Sequence, residues 1–136
     1  MTPEIQRAKA QVMIWWILWA SILLGLTIVY VALGRRPLPV LPPEKALTGL
    51  VGLVPLFVSI VIRWLVLPRF RELRTALPMF IVGLALAEAC GLLGIFLGGP
   101  YREDLFLLGL LGIAQFVPFF ARRLVEPRPE GFFPNN

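Results

Sequence analysis

The chain has 136 residues, of which 58% are hydrophobic and only 15% are charged, with a formal net charge of +5. Soluble domains are about 45–50% apolar and about 25% charged, so this composition excludes an ordinary water-soluble domain and favours a membrane protein. One cysteine and no histidine exclude an intramolecular disulfide, a Cys/His metal cluster and an imidazole base. We therefore expect no metal, no cofactor and no enzymatic activity.

Four apolar blocks follow one another along the chain, at roughly residues 11–33, 47–67, 77–98 and 104–121. Each is close to the ~20 residues that an α-helix needs to cross the ~30 Å hydrocarbon core of a bilayer. The first block is longer than the about 7–15 apolar residues of a secretory signal, so we expect it to remain as a span. The pattern predicts an all-α integral membrane protein, with residues 1–136 forming one membrane domain of four bundled transmembrane helices. Its partner is then the lipid bilayer, and no nucleic acid is expected.

The basic residues outside these blocks are divided unevenly between the two sides. One side carries eight of them, namely Arg7, Lys9, Arg69, Arg71, Arg74, Arg122, Arg123 and Arg128. The other side carries four, namely Arg35, Arg36, Lys45 and Arg102. By the positive-inside rule, we expect both termini to be cytoplasmic in a multi-pass protein of the cell inner (cytoplasmic) membrane. The proline-rich tail over residues 125–136 is predicted to be flexible.

Tryptophans and one arginine lie near the predicted cytoplasmic ends of the first two helices. Trp15, Trp16, Trp19 and Trp64 all fall in the cytoplasmic halves of their helices, and three of them are close enough to the headgroups to form an aromatic belt. Arg63 lies about four residues from the same end of the second block, so its side chain can snorkel into the interface.

Small residues form a stripe along the third block. At 100° per residue, six of them fall within an arc of roughly 100°. They are Gly83, Ala87, Cys90, Gly91, Gly94 and Gly98. Small side chains let membrane helices approach closely, so we predict a packing interface between the third and fourth helices that comprises Gly83, Ala87, Gly91, Gly94, Gly98, Gly109 and Gly112. Because the stripe is more surface than one neighbour is expected to cover, it also predicts a homo-oligomer or a partner membrane subunit.

Glu88 stands in the middle of the third block, about 60° beyond the edge of that stripe. A charged residue at the centre of a membrane helix costs about 2.5–3.5 kcal/mol on insertion scales, so Glu88 must be protonated, paired, or in contact with water or a cation. Gln115 is the closest polar candidate, within about 5 Å along the membrane normal, and Arg63 is about 10 Å away. We therefore predict a hydrogen bond between Glu88 and Gln115.

The run RTALPMFIVGLALAEACGLLGIFLG, residues 74–98, resembles the carboxylate-bearing helix of rotor-ring proteolipid subunits of rotary ATPases. That family combines a basic cytoplasmic loop with an apolar helix that carries L-A-x-x-E-A at mid-membrane and a small residue beyond it. Here those positions are Leu84, Ala85, Glu88, Ala89 and Gly94. The resemblance implies a Glu88 that binds a proton or a sodium ion within an oligomeric ring.

Two functions from different classes follow from these features. In the first, Glu88 and Gln115 bind or pass a proton or a cation, with Ser59 or Thr48 as further ligands. In the second, the protein is a non-catalytic accessory, assembly or structural subunit of a membrane complex. A single Glu and a single Gln are few polar groups for a transporter of ordinary substrates, and this scarcity favours the second function slightly. An enzyme is the third and weakest class, because a lone carboxylate supplies little chemistry.

Overall fold

A computed structural model of the protein describes residues 2–37 and 42–125. Within these ranges the chain is all-helical, without strands, and four helical segments are long and apolar enough to cross a membrane. They are segment 1, Pro3–Gly34; segment 2, Leu47–Arg69; segment 3, Leu73–Leu97; and segment 4, Gly99–Val125. The predicted number and order of the helices are confirmed. The predicted flexible tail lies, after its first residue, outside the described residues.

The first three segments differ in how regular their helices are. Segment 1 is an α-helix over Pro3–Val29 that continues as a π-helical turn over Tyr30–Gly34. Segment 2 begins inside a 3₁₀-helix that spans Pro43–Gly52. It continues as an α-helix over Leu53–Val61, a π-helical turn over Ile62–Val66 and a 3₁₀ turn over Leu67–Arg69. Segment 3 is one α-helix, with Pro78 in its second turn. Pro55 has no N–H, so the α-helical bond to residue 51 cannot form, and the 3₁₀ stretch ends just before it.

Segment 4 is broken. A 3₁₀ turn over Gly99–Tyr101 leads into an α-helix over Arg102–Ala114, and a 3₁₀-helix over Pro118–Ala121 and a short α-helix over Arg122–Val125 follow the break. Pro118 causes the break, because a proline disfavours the α conformation in the residue before it. Val117 accordingly has ψ 125°. The fourth apolar block, residues 104–121, is therefore helical on both sides of a break near its end.

Segment 3 lies at the centre of the bundle, in contact with each of the other three and most extensively with segment 4. Successive segments run in opposite directions, so different chain ends and connectors meet at the two ends of the bundle. At the basic end, Glu4 and Gln11 share a cavity with Arg71, Arg74 and Val125. At the opposite end, residues 34–37 share a second cavity with residues 99–100 and 102–104.

The core contains an aromatic stack toward the basic end. Trp15 is 1% exposed, and its ring stacks on Phe80 with centroids 4.3 Å apart. The ring of Phe116 also packs edge-on against Phe80, with ring centroids 6.0 Å apart. The outer surface is apolar as well, with side chains such as Phe57 that are 73% exposed. An apolar exterior of this extent is typical of a surface that faces lipid or another protein.

Candidate functional site

The contact between segments 3 and 4 is made at glycines. A Cβ atom built on Gly109 would lie 2.7 Å from the backbone nitrogen of Gly91, so the two backbones touch there. A Cβ on Gly112 would lie 3.1 Å from the Cβ of Ala87, and one on Gly94 would lie 2.5 Å from the Cβ of Leu105. These distances leave no room for larger side chains. We call this contact the glycine seam.

Segments 1 and 2 cover the rest of the small-residue stripe. Leu26 of segment 1 packs on Gly91, and Gly49, near the start of segment 2, packs on the backbone of Gly98. The hydroxyl of Ser59 donates a 2.8 Å hydrogen bond to the carbonyl of Gly83 and is fully buried. All six stripe residues are buried. The stripe is thus used within one chain, and a homo-oligomer or a partner subunit would have to bind a different surface.

Glu88 lies outside the seam and faces segment 1. A Cβ atom on Gly25 would lie 3.9 Å from Glu88 Oε1, an ordinary van der Waals distance, so the carboxyl group lies next to the bare backbone of segment 1 there. The Glu88 side chain is partly exposed, and Ala85, one turn earlier, is exposed. In the described part of the chain, no side-chain hydrogen bond involves Glu88. We call the space between Gly25 and Glu88 the carboxyl groove.

Gln115 is not the partner of Glu88. Its Oε1 atom accepts a 3.1 Å hydrogen bond from Trp64 Nε1, and its Nε2 atom is buried without a hydrogen-bond partner. The predicted hydrogen bond between Glu88 and Gln115 is therefore absent. The ring of Phe116, the next residue in the chain, fills the space beside Gly83 on segment 3. The side chain of Gln115 therefore points toward segment 2 and away from Glu88.

A polar cluster surrounds the break in segment 4. The Nε–H of Arg63 donates a 2.6 Å hydrogen bond to the carbonyl of Gln115, and Trp19 Nε1 donates a 2.8 Å bond to the carbonyl of Ile113. The Arg63 guanidinium lies 4.3 Å from the ring centre of Phe120 and 4.8 Å from that of Trp64. The Ile113 carbonyl also accepts a 3.0 Å bond from the Phe116 N–H, so Trp19 adds a second donor there, and Arg63 supplies a donor to the carbonyl of Gln115 just after the α-helix ends. We call Trp19, Arg63, Trp64, Gln115 and Phe120 the break cluster.

The break cluster changes the interpretation of several residues. Arg63 is partly exposed and bonds through Nε to a backbone carbonyl of segment 4, a contact that its position in the second block does not predict. Trp15 is buried in the core and Trp19 bonds to segment 4, so neither lies in an outer aromatic belt. A sequence signal for the cluster does exist: Pro118 within an apolar block indicates a helix end, and a helix end frees carbonyls that a nearby arginine can bind.

The two further ligands suggested for Glu88 also bond elsewhere. The Ser59 hydroxyl bonds to Gly83, and Thr48 Oγ1 donates a 2.6 Å bond to the carbonyl of Lys45 in its own turn. Among residues 2–37 and 42–125, no group of three or more His, Cys, Asp or Glu side chains is arranged to hold a metal ion.

At the opposite end of the bundle, Arg102 joins segment 4 to the end of segment 1. Its Nη1 atom donates hydrogen bonds of 2.5 Å and 2.7 Å to the carbonyls of Gly34 and Arg36. The Gly34 carbonyl lies in the last turn of segment 1 and the Arg36 carbonyl just beyond it, where carbonyls need donors from outside the helix. Arg102 therefore acts as a structural clip.

Comparison of the chain with protein-family models, curated proteins and solved structures finds no match. The similarity of residues 74–98 to rotor subunits remains a local resemblance. Evidence on function therefore comes from the carboxyl groove and the break cluster themselves.

Proposed function

We propose that the chain is a small multi-pass membrane protein in which Glu88 binds and releases a proton at the carboxyl groove. The observation that carries this proposal is the isolation of the carboxyl group: it lies in an apolar segment, partly exposed, without a hydrogen-bonding side chain among the described residues. An ionised carboxylate in such surroundings is costly, whereas the protonated form is tolerated. Glu88 is therefore suited to exchange a proton with water or with a partner that reaches the groove.

A proton fits this site better than a metal cation does. Cations such as Ca²⁺ or Mg²⁺ need about six or more oxygen ligands, and Glu88 alone supplies two. The oxygen-bearing side chains that could have joined it, Ser59, Thr48 and Gln115, bond to other groups. A proton requires only the carboxyl group itself.

The charges of the chain support an orientation for the protein. The cavity at the basic end is lined by N-terminal residues together with residues 71–74 and 124–125, so the more basic connector lies near both described chain ends. The positive-inside rule then favours cytoplasmic termini and a location in the inner (cytoplasmic) membrane.

An accessory or assembly subunit is the second candidate, and a separate observation favours it. In the most apolar stretch of 18 residues, only 11% of segment 1 is buried, against 44% of segments 3 and 4. Segment 1, which lies beside Glu88 at Gly25, therefore presents an uncovered apolar face. A second copy or another membrane subunit that packs there could hydrogen-bond to Glu88. Interhelical hydrogen bonds of this kind contribute about 0.6 kcal/mol on average.

Labelling with a membrane-soluble carbodiimide tests the proton-site proposal. The reagent attacks protonated carboxyl groups in apolar surroundings, so we expect Glu88 to be labelled at a rate that falls as the pH rises. Glu4 and Glu72 at the basic end are exposed and lie outside the apolar blocks, so they serve as internal controls that a reagent dissolved in the membrane should label poorly. Protection by sodium ions would indicate a cation site in place of a proton site.

Proton flux into vesicles that contain the purified protein is the second measurement. Glu88→Gln keeps the shape of the side chain but cannot titrate, so it should abolish the flux while the variant still folds. If Glu88 is not labelled at any pH and the Gln variant behaves as the unmodified protein does, the proton site is refuted. The accessory-subunit function is then the better interpretation.

A further inference from the structure

The break cluster has more hydrogen-bond donors than acceptors. Of the five N–H groups of a guanidinium, only the Nε–H of Arg63 bonds within the described residues. The Gln115 carbonyl accepts that bond, and Gln115 Oε1 accepts the bond from Trp64. The buried Gln115 Nε2 atom has no acceptor at all. The cluster therefore lacks acceptor oxygen atoms.

The charge around the cluster is positive. The Arg63 guanidinium packs on the ring of Phe120, which precedes Arg122 and Arg123 by two and three residues in the chain. The Arg122 guanidinium lies 5.8 Å from the ring centre of Phe119. Arg122 and Arg123 are both exposed. Cations in membrane segments pair with anions or with backbone carbonyls, and Arg63 has one carbonyl for its five N–H groups, so an anion would satisfy the donors that remain.

We propose that Arg63, Arg122 and Arg123 form a binding site for the phosphate of an anionic phospholipid headgroup. The phosphate oxygens would accept from the two Nη atoms of Arg63, and the exposed Arg122 and Arg123 would face the same headgroup. Guanidinium groups bind phosphate through paired N–H donors, which makes phosphate the ligand of choice for this donor set.

The position of the site favours a lipid over a soluble phosphate compound. Arg63 precedes the end of segment 2 at Arg69 by only six residues, which form a π-helical and then a 3₁₀ turn, so its long side chain can extend to the headgroups. Trp64 is 60% exposed on the outer surface next to it, as tryptophans at a membrane interface are. Acyl chains could lie along the exposed apolar surface of segment 2, where Phe57 is 73% exposed.

Native mass spectrometry of the detergent-solubilised protein tests the proposal. The protein is titrated with phosphatidylglycerol and, in parallel, with phosphatidylcholine of the same acyl chains. We expect preferential retention of phosphatidylglycerol and a loss of about fivefold in its affinity for each arginine removed by Arg63→Gln or Arg123→Gln. Arg35→Gln, which removes an exposed arginine at the opposite end of the bundle, is the matched control and should leave retention unchanged.

Arg123→Gln keeps the test decisive if Arg63→Gln does not fold, because the Arg123 side chain is exposed. Equal retention of the two lipids, or an equal loss in the Arg35 control, would overturn the proposal. Glycerol 3-phosphate distinguishes the source of the phosphate. If this soluble compound displaces phosphatidylglycerol at similar concentration, the site binds a soluble phosphate ligand and the lipid assignment is wrong.

Discussion

Glu88 and Arg63 are the charged side chains within the apolar stretches 77–98 and 47–67, and the protein surrounds them in opposite ways. Arg63 bonds to the carbonyl of Gln115 and packs against two aromatic rings. Glu88 has no hydrogen-bonding side chain among the described residues and borders the bare backbone of Gly25. Similar sequence contexts therefore lead to one anchored charge and one isolated carboxyl group.

The difference follows from what a helix backbone can offer to each charge. A carbonyl oxygen has two lone pairs, so it can accept a bond from a cation, and a broken helix exposes several such carbonyls. A carboxylate needs free N–H donors, and these occur only in the first turn of a helix. Glu88 and Gly25 both lie in helix interiors, where each N–H is already bonded. An arginine near a helix end can thus be satisfied by backbone, whereas a mid-helix glutamate cannot.

Alanine substitution of Gly109 and of Gly25 compares the tightly packed glycine seam with the carboxyl groove, and the larger of the two effects is expected at Gly109. At Gly109 a new Cβ would lie 2.7 Å from the Gly91 backbone nitrogen, so the helices must separate, and we expect a loss of about 3 kcal/mol in unfolding free energy. At Gly25 the nearest atom is Glu88 Oε1 at 3.9 Å, an ordinary contact, so Gly25→Ala should be neutral. Unfolding titrations in mixed micelles measure both. A large loss at Gly25 would show that the groove is closed.

Removal of the guanidinium tests the anchored charge. Arg63→Met deletes the donor to the Gln115 carbonyl and the contacts with Trp64 and Phe120. Bonds that involve a charged group contribute about 1.5–3 kcal/mol, so we expect a loss of about 2 kcal/mol. Arg69→Met, at an exposed arginine where segment 2 ends, is the matched control and should change stability by less than about 0.5 kcal/mol. Similar losses in both variants would count against Arg63 as an anchor.

The second donor at the helix break should have a smaller effect. Trp19→Phe removes the indole N–H that bonds to the Ile113 carbonyl and keeps an aromatic ring, so a loss of about 1 kcal/mol is expected. Trp16→Phe loses similar ring area at a partly buried position that forms edge contacts but none of the described hydrogen bonds. The difference between these two variants isolates the hydrogen bond. No difference would indicate that water replaces the indole at the break.

The smallest effect is expected at Glu88 itself. Because the carboxyl group bonds to no side chain among the described residues, Glu88→Gln should change the unfolding free energy in detergent by less than about 0.5 kcal/mol. Ser59→Ala serves as a reference, because it removes a buried bond to Gly83 and should cost more. A clear destabilisation by Glu88→Gln would show that the carboxyl group contributes to packing, which would remove the contrast with Arg63.

Local properties of the chain were sufficient for several conclusions. The length of the apolar blocks determined the number and order of the four segments, since ~20 apolar residues match a bilayer whatever surrounds them. Helical periodicity likewise grouped Gly83, Ala87, Gly91 and Gly94 on one face of segment 3, and all four are buried. These features depend only on spacing along a single helix.

The partners of the polar residues were decided by the tertiary structure. Counting residues placed Gln115 at the depth of Glu88 but could not show which neighbouring segment Gln115 faces. The packing of Phe116 and the break before Pro118 turn Gln115 toward segment 2, where it bonds to Arg63 and Trp64. Counting also could not show that segments 1, 2 and 4 together cover the small-residue stripe. Depth is a property of one helix, but direction depends on where the neighbouring helices pack. For that reason the sequence alone identified Glu88 as unusual, and only the packing of the bundle left it without a side-chain hydrogen bond among the described residues.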